Sequence, residues 1–172
     1  NGHVERATRT VQAQSRTLRS ALQNHYKVRL NTYGDVVPWL IRHSAWTATR
    51  LSRGADGFTP FRRLTNKDYQ SALVEFGECV EFKIQDEALL AGQKLSERWA
   101  PGIWVGRSNA SDEHIAMTTT GTCVARSVRR RDVGQRYATE LLGSVKGLPW
   151  RMSGEGNVEH KIVVEVEPEH QV

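Results

Sequence analysis

Glu5, Arg9, Gln12 and Arg16 follow one another at four-, three- and four-residue steps near the start of the sequence. On a helix each stands within about 40° of Glu5 around the axis, with Arg19 at the margin of the same edge. A carboxylate followed by guanidinium groups and an amide along one edge has a definite chemical capacity. The carboxylate could hold a divalent cation, and the side chains beyond it could track a phosphate backbone. The plain alternative is a solvated face on which Glu5 and Arg9 form an i,i+4 pair contributing roughly 0.3 kcal/mol. A second basic group, Arg126, Arg129, Arg130 and Arg131, lies far along the chain. Read alone, it is either a set of phosphate contacts or a solvated run.

These side chains need elements to position them. Val4, Ala7, Val11, Leu18 and Leu22 recur at helical steps within an arc of about 60°, so the spacing predicts a helix over 3–28 with a core stripe beside the Glu5 edge. A second helix is expected over 35–51, with Asp35 as its cap and Pro38 in its first turn. Thr59 and Pro60 open a short third helix. After Tyr69 the period becomes two. Strands are expected over 80–84, 102–107, 113–118 and 122–127, the last two joined by the hairpin signal Thr119-Thr120-Gly121. Short strands at this spacing suggest a small β-barrel interrupted by a polar loop over 85–101. A short helix over 136–145, a last strand over 161–166 and an acidic end complete the expectation.

The 172 residues have negative mean hydropathy and no run of eighteen apolar residues, so no membrane-spanning helix is expected. The net charge of +5 is uneven. Residues 1–68 hold twelve Lys/Arg against four Asp/Glu, and residues 69–172 hold twelve against fifteen. A basic first third suits a polyanion partner, because Lys and Arg displace the counterions of a phosphate backbone. Cys79 and Cys123 are too few for a disulfide scaffold or a structural zinc site and read as buried free thiols of a reducing, intracellular compartment. Of the tryptophans, Trp39, Trp46 and Trp104 read as core, with Trp99 and Trp150 the candidates for exposure. The start at Asn1, without methionine, suggests a piece of a longer chain.

The opening Asn1-Gly2-His3-Val4-Glu5-Arg6-Ala7, with Arg9-Thr10, resembles the Asn-Gly-x-x-Glu-Arg-x-x-Arg-Thr signature of retrotransposon and retroviral integrases. The similarity continues through Trp39-Leu-Ile-Arg-His-Ser-Ala-Trp46 and Thr59-Pro60-Phe61-Arg62-Arg63-Leu64. Phe76-Gly77, Lys94-Leu95, Gly102-Ile-Trp-Val-Gly106 and Val124-Ala-Arg-Ser127-Val128 then follow the order of the SH3-like domain in copia-type elements. The resemblance covers residues 1–131. It departs where the family has Ser-Arg-Asp-Val and this chain has Arg126-Ser127-Val128-Arg129.

The resemblance implies an α+β chain. Residues 1–68 would be the helical C-terminal remnant of an RNase H-like integrase core, 74–131 a small SH3-like β-barrel, and 132–172 a tail. Glu5 would be the third carboxylate of an Asp-Asp-Glu triad and a ligand of Mg²⁺ or Mn²⁺ in the complete enzyme. Arg9, Gln12, Arg16, Arg19, Arg129, Arg130 and Arg131 would contact DNA. The partners would be element and target DNA, the rest of the core, and further copies in a homo-oligomer, acting in the nucleus or cytoplasm. Two-metal transfer at a phosphodiester needs carboxylates that Asp35 and Asp56, a cap and a turn residue, do not supply. The isolated chain is therefore expected to be inactive, to hold no metal stably, and to self-associate through an uncovered helix stripe. The competing expectation is a non-catalytic nucleic-acid- or protein-binding module from a degenerate element. A chromatin-reading barrel would need an aromatic cage built from Trp99 and Trp104.

Overall fold

A computed structural model describes residues 2–85 and 97–154. Lys94-Leu95, most of the expected 85–101 loop, and the expected strand over 161–166 lie outside them. The chain is mixed helix and sheet. Helices α1 (Gly2–Tyr26), α2 (Val36–Leu51) and α3 (Pro60–Thr65) precede strands β1 (Cys79–Lys83), β2 (Trp99–Arg107), β3 (His114–Thr118), β4 (Gly121–Ala125) and β5 (Val128–Arg130). A 3-10 turn (Val133–Gln135) and helix α4 (Thr139–Ser144) follow, in place of the continuous helix expected over 136–145.

The strands form one open antiparallel sheet in the order β4-β3-β2-β1-β5. The β3–β4 hairpin turns where expected, pairing Thr118 with Gly121. The largest of three core clusters spans the helices and the sheet. Leu22 and Tyr26 of α1, Val36, Trp39 and Leu40 of α2, Ile103 and Val105 of β2, and Leu142 of α4 all belong to it. Burying apolar surface contributes about 25 cal/mol per Å², so these contacts dominate the folding energy.

Two glycines let the layers close. Gly77 has φ +83°, and a Cβ there would lie 2.2 Å from Leu22 Cδ1. Tyr26 donates a 2.6 Å hydrogen bond to the Gly77 carbonyl at the same place. Gly106 has φ +132°, and a Cβ there would stand 3.1 Å from His43 Nδ1. Glycine reaches such backbone angles without steric cost.

Several local expectations change. Helix α1 stops at Tyr26 because Lys27 turns left-handed, with φ 54°. Its apolar stripe is buried only at its end. Leu22 is inside and Leu18 packs against the core, whereas Val11 is half-buried and Val4 is 66% exposed. Thr59 caps α3 by accepting from the Arg62 N–H, as expected. Asp35 makes no side-chain cap to α2. Its carboxylate instead accepts a 2.9 Å hydrogen bond from the Gly147 N–H, while Trp39 Nε1 donates to the Gly147 carbonyl at 2.8 Å. One residue beyond α4, Gly147, is thus held by both its backbone N–H and its carbonyl from the start of α2. Trp39, Trp46 and Trp104 are buried, and Trp150 is exposed, as expected. Cys79 is fully buried and Cys123 only partly. Among the described residues, no helix is long and apolar enough to cross a membrane.

Candidate nucleic-acid interface

The first candidate surface is the edge of α1. No Gly or Pro falls between residues 3 and 26, so the backbone ladder runs unbroken, and Glu5 in the first turn complements the helix dipole. Thr8, Thr10, Ser15 and Thr17 return their hydroxyls to the carbonyls four residues back, so they place no competing donors on the edge. Glu5, Arg9, Gln12 and Arg16 are all exposed. Arg9 Nη2 stands 4.0 Å from Glu5 Oε2, with these side chains 81% and 67% exposed. A pair this open leaves both groups available to a ligand. Arg19 is placed differently. Its Nη2 donates to the Leu30 carbonyl at 2.7 Å and to Thr32 Oγ1 at 3.3 Å, tying α1 to the connection before α2.

The second surface lies at β5. Arg129 sits with its guanidinium carbon 3.8 Å from the centre of the Trp99 ring, a cation–π contact. Arg130 forks onto Glu78, with Nε at 2.7 Å from Oε1 and Nη2 at 2.6 Å from Oε2. Arg136 approaches the same carboxylate at 3.4 Å. Glu78 is 0% exposed, and the hydrogen bonds it accepts raise the Arg130 pKa above the ordinary range. Arg131 pairs with Glu81 through both Nε and Nη2. Beside them opens a cleft of about 640 Å³ lined by Arg129, Arg130, Arg131, Gln135 and Tyr137 among others. Arg130 and Arg131 are thus engaged by carboxylates, whereas Arg129 rests on a ring. The run is partly neutralised by the sheet's own glutamates.

These two surfaces sit on different elements, and the structure does not merge them into one constellation. Arg126 pairs with Glu113 at the surface. Glu78 and Arg136, which shape the second surface, escape a reading by motif. The available signal was Glu78, set between Phe76-Gly77 and Cys79-Val80, where a buried carboxylate requires a partner.

One carboxylate does not make a two-metal site. Among the described residues there is no group of three His, Cys, Asp or Glu able to hold a metal ion. Asp35 is turned to Gly147, and Asp56 is bonded through both oxygens to Arg63. Trp99 and Trp104 do not form a cage either. Trp104 is fully buried with its Nε1 donating to His114 Nδ1 at 3.0 Å, and Trp99 is covered by Arg129. Burial, then the Arg107 charge, lowers the His114 pKa to about 4, so its ring is a neutral acceptor.

No family model, curated protein or solved structure matches the chain.

Proposed function

We propose that this chain is part of a copia-type retrotransposon integrase, contributing the triad glutamate, Glu5, and a DNA-binding surface to the complete enzyme. The observation that carries the reading is the α1 edge. The residues resembling the integrase signature lie on a helix whose Glu5, Arg9, Gln12 and Arg16 remain open to a ligand. The order of helices before sheet, and a meander from β1 to β4 whose fifth strand returns to β1, support an SH3-like module after the end of a catalytic core. In the complete enzyme Glu5 would share Mg²⁺ with carboxylates from outside this chain. Its own residues would hold and orient DNA phosphates. The isolated chain would not join strands.

The lone carboxylate on α1, with no metal-holding group among the described residues, suits a second reading, a non-catalytic nucleic-acid- or protein-binding module. The first reading, and the nucleic-acid form of the second, require DNA to bind. A titration of duplex DNA against salt tests them together. Arg9→Ala and Arg16→Ala are each expected to lower the slope of log affinity against log salt by about one, since each phosphate contact releases about one counterion. Unchanged slopes in both variants would remove the α1 edge from the interface. Arg19→Ala is expected to loosen the α1–α2 connection instead.

A further inference from the structure

The arginines of this fold divide by how their charge is answered. Arg62, Arg63, Arg107, Arg130, Arg131 and Arg136 each reach a carboxylate. Arg50 does not. Its guanidinium lies against three rings, 4.6 Å from the centre of Trp46, 5.5 Å from Phe61 and 5.8 Å from Tyr69. Those rings brace one another edge to face. Trp46 and Tyr69 are 5.0 Å apart at 89°, and Phe61 and Tyr69 are 5.6 Å apart at 89°. Arg50 Nε is sealed from solvent and has no hydrogen-bond partner among the described residues.

Two turns earlier on α2, Arg42 lies over Trp39 at 5.5 Å and gives one Nη1 hydrogen bond to the Arg107 carbonyl. Burial first, and the Arg50 charge second, push the Arg42 pKa below its ordinary value. Two like charges, each within electrostatic reach of the other, are therefore held partly buried with no counter-ion among the described residues. Partial burial of an unanswered charge is costly, and an external anion would offset that cost.

We propose that Arg50, assisted by Arg42, is a docking point for the phosphates of a nucleic-acid strand. The rings fix the guanidinium plane beforehand, so little side-chain freedom is lost when a phosphate meets its fork. Arg42 and Arg50 are separated by eight residues, or about 12 Å along the helix axis. Each guanidinium leans back about one turn, Arg42 onto Trp39 and Arg50 onto Trp46, so the two stay spaced along the helix, which suits successive phosphates of a strand better than one small anion. The site uses none of the α1 edge, so it stands or falls separately from the Glu5 surface.

The sealed Nε–H of Arg50 provides a direct reporter, because its exchange with water is slowed. In the full ¹⁵N-labelled chain, a duplex oligonucleotide at micromolar concentration is expected to shift the Arg50 Nε–Hε signal. Inorganic phosphate at the same concentration is expected to leave it in place. In a salt titration, Arg50→Ala should lower the slope by about one. Arg50→Lys, which keeps the charge and loses the fork, should weaken binding roughly tenfold at an unchanged slope. Arg62→Ala is the control, because Arg62 also lies on a ring, that of Phe58, but is neutralised by Asp68. It should bind as the parent does. A signal that stays still while the oligonucleotide binds would overturn the proposal, as would an Arg50→Lys variant with full affinity. A signal that answers phosphate and ignores the oligonucleotide would assign a small-anion site and overturn it too. Should Arg50→Ala fail to fold, the unmutated chain's signal and the lysine variant still decide.

Discussion

Trp39→Ala is expected to cost this fold about 4 kcal/mol, within the range for truncating a large buried aromatic side chain. Trp39 is 1% exposed and sits where α2 meets the core. Two losses combine. The indole leaves a cavity among Leu40, Val36 and their neighbours, and the Gly147 carbonyl loses its donor. An orphaned buried carbonyl alone costs about 1–3 kcal/mol. Trp39→Phe separates the two, since it keeps most of the ring and removes the N–H. Its expected cost is about 1–2 kcal/mol. Urea unfolding of the three proteins measures this directly. A domain of this size has on the order of 5–15 kcal/mol of stability, so the alanine variant should lose a large part of it. A midpoint for Trp39→Ala close to the parent's would show that α2 does not anchor the core as described.

Acid is the second expected route to unfolding, and His43 is its trigger. The ring is 5% exposed. It stacks on Trp46 at 5.6 Å and on Phe76 at 5.3 Å, and meets Trp104 edge-on at 5.3 Å. Burial, then the neighbouring Arg42 charge, lowers its pKa from 6.5 to about 4. Nδ1 has no hydrogen-bond partner among the described residues, so none of them welcomes a proton there. The unfolded chain takes up the proton near pH 6.5 and the folded chain only near pH 4. Stability from this residue is therefore complete above pH 6.5 and falls as the pH drops toward 4. A tenfold difference in proton affinity between the two states is worth about 1.4 kcal/mol, so the loss is on the order of 3 kcal/mol. His114 is lowered in the same direction, but it is only half-buried and should contribute less. His43→Phe keeps the aromatic stack and removes the titration. Its stability should be flatter between pH 6.5 and pH 4, measured by urea unfolding at a series of pH values. A parent-like slope in that variant would assign the acid sensitivity elsewhere.

Both residues show where a linear reading reaches its limit. The elements were legible because their causes are local. Period-two alternation around Val80, Phe82 and Ile84 marked β1, and Thr59 with Pro60 marked the start of α3. The exposed Glu5–Arg16 edge followed from helical geometry alone. Long-range partners were not legible. Asp35 looks like a cap in its own neighbourhood, but Gly147, the group it binds, is 112 residues away. Arg19 shares the wheel position of a phosphate contact, yet a carbonyl beyond the end of α1 claims it. Arg130 and Arg131 read as a basic run until the register of β5 against β1 sets Glu81 opposite Arg129 and brings Glu78 and Glu81 to their guanidinium groups. The Arg50 site was hidden for the same reason. Trp46 is one turn away, but Phe61 and Tyr69 arrive only when α3 and the segment after it fold back.

The two-ended grip on Gly147 also bears on the order of events in folding. Closing a loop of that span carries an entropy cost that grows with its length, and the intervening helices and strands must first shorten the path. Asp35 and Trp39 hold Gly147 across that span, so the clasp is expected to form late, with its two hydrogen bonds among the last to close.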